Sequence, residues 1–297
     1  MERTTPHFRS PADLGTALRE LREARGVSLR SLAKRIEVSP ATLSAIENGK
    51  TRLSVARYRQ LADALGISWS QVVLNAIYEQ PPVDNEQSAN RAALEELRAT
   101  TDWREFEIMH VGPILLAASA VFAESGYEGA TMRSIAEAAN LSVAGIYHHY
   151  QSKQELLVRL FEMATVDLER RFELVLATES APAQRLHDLA ECLSHFHARR
   201  SAFGLLFLLE LRSLEGDTAD DIEARLARLL GAIAETVEAG VATGEFTPTH
   251  PESVARAIVS LCTSLSLWYR RTAEPVTPEE ISRRYADMAL DLVRAGR

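Results

Sequence analysis

Two stretches of this chain set capping, small and hydrogen-bonding residues at the start of short helices. In the first, Ser39-Pro40-Ala41-Thr42-Leu43-Ser44, Ser39 is an N-cap and Pro40 sits at the first helical position, a favoured helix start. Ala41, Thr42 and Ser44 then fall in the N-terminal half of the helix. The Thr42 and Ser44 hydroxyls suit base edges, and Ala41 or the Thr42 methyl can meet a thymine methyl. Lys50 and Arg52 follow the helix and suit phosphates. The second stretch, Thr131 to Lys153, has Thr131 as an N-cap, with Met132, Ile135, Ala136 and Ala139 on one apolar face. Asn140-Leu141 breaks it, and Ser142 caps a second helix read as Val143 to Tyr150. Ser152-Lys153-Gln154-Glu155 is a capping box that opens a third. Lys153 places a cation on that helix's first turn, at an end that attracts phosphate, and Thr131 and Arg133 are further backbone contacts. Two short helices across a tight turn make a helix-turn-helix, whose second member fits the DNA major groove.

The second stretch resembles the signature of TetR-type repressors, T-x-x-x-I-A-x-x-x-x-V-S-x-x-x-L-Y-x-H-F-x-S-K-x-x-L. It is matched here by Thr131, Ile135, Ala136, Ser142, Tyr147, His149, Tyr150, Ser152, Lys153 and Leu156. The resemblance implies that Val143, Ala144 and Gly145 face the groove and that Tyr147 and His148 reach the DNA backbone. About residues 13–78 resemble a different family, the Cro/repressor (XRE) type, through L-R-x-L-R-E-x-R-G-V-S-x-x-x-L-A-x-x-x-x-V-S-x-x-x-L-S-x-I-E-N-G-K. That resemblance implies a pair between Arg22 and Glu47. It also marks two departures. The family's turn glycine is Glu37 here, which is expected to strain or reshape the turn. The Gln that commonly starts the second helix is Leu29.

The elements that must carry these stretches are all helical. Residues 13–26, a helix capped by Ser28, the helix after Ser39, one opened by Ser54 and one around Trp69 to Tyr78 make a five-helix domain over residues 1–80. Residues 81–106 read as a linker: Gln80 to Glu86 breaks the pattern, and Gln87 to about Arg98 is helix-favouring with no strong core face, a solvated spacer or a strut docked by Trp103 and Phe106. Residues 107–157 form the second head, with Ile108, Ile114, Leu115, Ala118, Val121 and Phe122 on its first helix, closed at Gly126. Residues 158–297 continue as long helices. Ala202 to Leu214 is apolar nearly all round and is expected to be buried on every side. Stripes follow at Val254, Ile258, Leu261, Leu265 and Trp268, and at Ile281, Tyr285, Met288 and Leu292. No alternating strand pattern occurs, so the fold class is all-α.

The layout of residues 158–297 is similar to the TetR ligand-binding and dimerisation region. It implies homodimer formation through the last two long helices, near 251–271 and 278–295, and a cavity for a small-molecule effector. Phe196, Phe203, Phe207, Glu210 and Trp268 are the candidate lining. A mainly apolar lining favours a lipid-like, acyl or aromatic ligand; core packing accounts for the aromatics equally well, and Glu210 reads equally as a solvent-reaching residue or half of a structural ion pair.

The net charge of −8 opposes a nucleic-acid partner only until it is divided. Residues 1–80 carry 12 Lys/Arg against 8 Asp/Glu, whereas residues 81–170 carry 7 against 14 and residues 171–297 carry 14 against 19. Local charge near the phosphates outweighs the total. Neither recognition helix holds Arg or Lys, which points to apolar and shape-based reading rather than bidentate guanine contacts. The two cysteines, Cys192 and Cys262, lie in apolar runs and read as buried thiols. Adjacent or alternate histidines at 148–149 and 195, 197 diverge on a helix, so no metal site is expected, nor is a cofactor. No nucleophile elbow, phosphate-cradling loop or convergent acid–base set is present, so the expectation is no enzyme. There is no apolar signal region and no membrane-length run, so a cytoplasmic protein without a membrane partner is expected. The reading is a dimeric regulator of double-stranded DNA with two DNA-binding heads per chain, and repression is the sense the family implies. The alternative keeps the TetR-type head on DNA and gives the XRE-type head to protein–protein interaction.

Overall fold

The computed structural model describes residues 18–19, 22–23, 25–48, 60–61, 64–65, 86–106, 109, 111–248, 250–269 and 276–294. Among the described residues there are helices and turns and no strand. The helices are α1 (Leu29–Arg35), α2 (Pro40–Glu47), α3 (Glu86–Ala99), α4 (Pro113–Gly129), α5 (Met132–Ala138), α6 (Val143–Tyr147), α7 (Lys153–Leu176), α8 (Pro182–Arg199), α9 (Ser201–Leu209), α10 (Asp217–Ala242), α11 (Pro251–Thr263), α12 (Leu265–Trp268) and α13 (Pro278–Arg294). The chain divides into two compact units. One comprises Met1–Gln87, Gly112–Glu124 and Ala130–His149; the other comprises Ser88–Val111, Ser125–Gly129 and Tyr150–Arg297.

In the first unit, Ser28 caps α1 by accepting from Ser31 N at 3.1 Å, and Ser39 caps α2 by accepting from Thr42 N at 3.0 Å. Leu32, Ala33, Ile36, Leu43 and Ile46 pack with Leu18, Leu61 and Leu65 into one apolar core. Beside it, Arg22 forks onto Glu47: Nε donates to Oε1 at 2.7 Å and Nη2 to Oε2 at 2.9 Å, with the two side chains 8% and 3% exposed. Nη1 donates to the Val27 carbonyl at 2.9 Å. A bidentate pair buried this well fixes the end of α2 against the helical residue Arg22. The turn between α1 and α2 keeps its tight form, because Glu37 itself adopts the left-handed conformation, φ 55°. That conformation costs a non-glycine residue ~1–2 kcal/mol. Most of the expected fourth helix, and the fifth around Trp69 to Tyr78, lie outside the described residues.

The other head in this unit is built from α4, α5 and α6. Ile114, Leu115, Ala118 and Phe122 of α4, and Ile135, Ala136 and Ile146 of α5 and α6, are buried, all at 2% exposure or less. Ile108 lies outside the described residues. Helical backbone in α4 is interrupted at Gly126, φ 72° and ψ 167°. Thr131 caps α5 in a reciprocal box with Ser134, and Asn140 takes the left-handed position in the turn, φ 56°. The recognition helix is shorter than the spacing suggests. It ends at Tyr147, where His148 N and His149 N bond back three residues to Gly145 O and Ile146 O. Such bonds tighten a last turn and stop the helix.

A residue without a local signal joins this head. Glu86, the first residue of α3, is fully buried, and its carboxylate accepts from Ile114 N at 3.0 Å and Leu115 N at 3.2 Å. It satisfies two of the orphan donors at the start of α4. Gly112 has no room for a Cβ beside this carboxylate.

In the second unit the rest of α3 has a core face after all. Ala93 and Leu97 are buried, and Asn90 Nδ2 donates to the Tyr150 hydroxyl at 2.8 Å. The following segment is pinned: Trp103 is buried, Arg170 Nε donates to Thr100 O, and Arg104 reaches Asp188 and Glu191. The helix buried on all sides is α8, whose residues 191–198 are all buried, and not the expected run at 202–214. Helix α8 is flanked by α7, α10, α11 and α13. Helix α9 stops at Leu209, and Leu208 and Leu209 are 38% and 48% exposed. Its composition is that of a buried helix, but its partners cover one side only. The last stripe splits as well. Ile281 and Tyr285 face inward with Ala289 and Val293, while Met288 and Leu292 remain 46% and 41% exposed. The expected helix at 251–271 turns at Ser264 into the short α12. Cys192 and Cys262 are buried free thiols, and burial pushes the Cys262 thiol up to about 12.

This packing can be tested at two places. Glu37→Gly removes a left-handed penalty at an exposed position; after the added freedom of the unfolded chain is subtracted, it should stabilise the first head by ~0.5–1 kcal/mol, read as a higher urea midpoint. Burial holds His197 down to about 3 and, with Arg199 beside it, His195 down to about 4. Below the ordinary histidine range the unfolded chain takes up protons that the folded chain refuses, so stability is full above that range and falls as pH drops toward those values. From pH 7 to pH 5 each histidine should cost ~2 kcal/mol, and His197→Gln should flatten the decline measured by urea unfolding.

Candidate nucleic-acid interface

The N-terminal half of α6 is open to solvent. Val143 is 37% exposed and Tyr147 52%, Ala144 and His148 are exposed, and Gly145 is half-buried. Only Ile146 of this helix turns into the core. Ser142 Oγ accepts from Gly145 N at 3.0 Å, so the cap leaves a first turn of small side chains at the surface. A surface of this kind lets the helix backbone come close to base edges, with Tyr147 and His148 projecting beyond it.

The flanking candidates are placed unequally. Arg133 is exposed on α5. The Thr131 hydroxyl is engaged in the cap, accepting from Ser134 N at 3.0 Å and donating to Ser134 Oγ at 3.1 Å. Lys153 is drawn inward: Nζ donates to Tyr127 O at 2.5 Å and lies 4.0 Å above the Tyr127 ring. Its ammonium engages Tyr127, a contact that its place on a first turn does not suggest. Ser152 and Glu155 form a box displaced by one residue, since Glu155 Oε2 accepts from Gln151 N rather than from Ser152 N.

On α2, Ala41 and Thr42 are exposed and Ser44 is half-buried. Ser39 Oγ and Thr42 Oγ1 lie 2.7 Å apart, and Ser44 accepts from Asn48 Nδ2 through its carbonyl at 2.7 Å. Lys50 and Arg52 lie outside the described residues.

The candidate effector residues are spread over α8, α9, α12 and the end of α9. Phe196 and Phe207 meet at 6.1 Å between ring centroids, and Phe207 meets Phe161 edge-on at 5.4 Å. Phe203 is buried on α9. Trp268 packs against a cluster of Ala198, Leu265, Ile281 and Tyr285. Glu210 caps the end of α9 and accepts from Ser213 Oγ at 3.1 Å. Sequence reasoning missed two features here. One is the buried charge set of Asp167, Arg171 and Arg200, of which Asp167 and Arg171, four apart on an inward helix face, are a legible signal. The other is His187, Asp188 and Glu191, whose ligating atoms lie within 4.8 Å of one another; Arg104 already sits 3.1 and 3.2 Å from the two carboxylates. Among the described residues no helix is long and apolar enough to cross a membrane.

Comparison with known proteins agrees with this geometry. Residues 114–160 match the family described as bacterial regulatory proteins, tetR family, and residues 179–293 match the tetracyclin repressor-like C-terminal domain. Residues 13–73 match a helix-turn-helix domain. The HTH-type transcriptional repressor KstR2 of Mycolicibacterium smegmatis is 24% identical over 182 residues, covering 60% of this chain and 87% of the relative. The crystal structure of the TetR family regulator PfmR from Thermus thermophilus is 27% identical with a TM-score of 0.55, covering 62% of this chain and 99% of PfmR. The structure of AibR in complex with isovaleryl coenzyme A and operator DNA is 25% identical with a TM-score of 0.52, covering 61% of this chain and 95% of AibR. A TetR-type head with its recognition turn exposed, followed by a TetR-type C-terminal domain, makes this chain a TetR-family, DNA-binding transcriptional regulator.

Proposed function

We propose that the protein is a cytoplasmic, homodimeric repressor in which both helix-turn-helix heads read one operator and a small, largely apolar effector releases it. The carrying observation is the exposed first turn of α6, capped by Ser142 and free of bulky side chains before Tyr147. The first head, of the XRE type, supports the reading through exposed Ala41 and Thr42 on α2 and through the basic balance of residues 1–80. Two heads joined in one chain raise the effective concentration of the second once the first is seated.

Dimerisation is supported by the apolar side chains left outside on the last elements, Leu267 at 46%, Met288 at 46% and Leu292 at 41% exposure. Met288 and Leu292 are four residues apart and share one face of α13. A symmetric pairing of the last helices would place two TetR-type heads against half-sites about one helical turn apart. The effector reading rests on the Phe161, Phe196 and Phe207 cluster and on AibR, whose structure holds isovaleryl coenzyme A with operator DNA. An acyl or aromatic ligand fits such a lining.

A carboxylate at either recognition turn would face phosphates and base acceptors without disturbing a core, since Ala41 and Ala144 are exposed. Ala144→Glu should reduce operator binding by at least ~100-fold, from the several kcal/mol that like-charge juxtaposition costs. Ala41→Glu should shorten the nuclease footprint and weaken binding ~10-fold or more. Gel shift and footprinting of the two full-length variants decide the matter. An unchanged footprint and affinity for Ala41→Glu would assign the first head to protein–protein interaction. Full binding by Ala144→Glu would overturn the operator reading itself.

A further inference from the structure

Arg171, on α7, is 1% exposed and heavily engaged. Its Nε donates to Asp167 Oδ1 at 2.7 Å, its Nη1 donates to the carbonyls of Trp103 and Glu105 at 2.8 Å each, and its guanidinium lies 3.5 Å above the Phe106 ring. Nη2 has no hydrogen-bond partner among the described residues. That leaves one guanidinium nitrogen for a group that enters from solvent. Arg171 lines a cavity of about 210 Å³ in the second unit. Arg200 also lines it and donates to the other oxygen of Asp167 at 3.1 Å. The remaining wall has two characters. Ala93 and Leu97 of α3 are apolar, whereas Glu96, Asp102 and Glu105 bring carboxylates.

We propose that this cavity binds a small amino-acid zwitterion, with its carboxylate on Arg171 Nη2, its ammonium toward the acidic wall and its side chain against Ala93 and Leu97. The charge layout selects this class. A simple monocarboxylate meets only the guanidiniums of Arg171 and Arg200, and a simple amine meets only the exposed carboxylates of Glu96, Asp102 and Glu105. A molecule carrying both charges satisfies both walls. The wall segment is held in place before any ligand arrives, because Thr100 O accepts from Arg170 at 3.0 Å and Arg104 is anchored on Asp188 and Glu191. A preformed wall spares the ligand the ordering cost of closing the site. This site is separate from the aromatic cluster around Phe207 and does not depend on the effector proposed above.

Thermal unfolding of the full-length protein tests this, with the common amino acids added one at a time at millimolar concentration and with acetate and ethylamine as single-charge controls. At least one amino acid should raise the midpoint in a concentration-dependent way, by ~2–4 °C once it exceeds its Kd about fivefold. Acetate and ethylamine should not. Ala93→Leu fills the cavity and should abolish the shift. Because Ala93 is fully buried, the exposed Glu105→Gln is the companion variant, expected to keep the unliganded midpoint and to weaken the shift at least threefold. No shift with any amino acid, an equal shift with acetate, or a full shift in Glu105→Gln and Ala93→Leu would each overturn the assignment.

Discussion

The first turn of every helix leaves backbone N–H groups without helical partners, and this chain depends on how they are met. A helix as short as α6, Val143–Tyr147, cannot hold itself together in water. It exists because Ser142 supplies an acceptor at one end, Ile146 anchors it to a core, and back-bonds from His148 and His149 close the other. The same device recurs at Ser28, Ser39, Thr131, Ser152 and Thr277. Capping by a short side chain has a functional by-product. It satisfies the backbone without covering the first turn, so Ala41, Thr42, Val143 and Ala144 stay at the surface where a groove can reach them.

The carboxylate of Glu86 does this work across the chain rather than locally. It serves α4 from the start of α3, so the helix that opens the TetR-type head is completed by a residue outside that head's own motif. A charged acceptor on two N–H groups is stronger than a hydroxyl on one. Buried charge is handled in the same way elsewhere. Arg22 and Glu47 neutralise each other in a two-pronged pair, and Asp167 gives one oxygen to Arg171 and one to Arg200. Removing one member of such a set strands the other in a place water does not reach, which makes these groups more consequential than the many exposed ion pairs on the helix surfaces.

Neither recognition helix carries a cation, so on the proposed reading sequence preference rests on shape, methyl contacts and hydroxyl bonds more than on guanine-seeking arginines. Lys153 leans on Tyr127, and Arg133 is exposed on α5. On the proposed reading, tandem heads and a paired copy accumulate several modest contacts made at once.

Much was legible in the sequence because it is local. The caps at Ser28, Ser39, Thr131 and Ser142 depend on residues three apart, the helix stripes on residues three and four apart, and the motif at 131–156 on fixed spacing. The pair between Arg22 and Glu47 spans 25 positions and is foreseeable only through family resemblance. Tertiary structure decided what no window of sequence contains. Composition marks α9 as the buried helix, yet burial falls to α8, because burial is a property of neighbours and α8 has them on every side. The bond of Glu86 to α4, the cradle of backbone carbonyls around Arg171 and the packing of Trp268 on Tyr285 arise from segments that meet only after folding. A carboxylate or guanidinium looks the same along the chain wherever it will come to rest; its partners are fixed by which helices close around it.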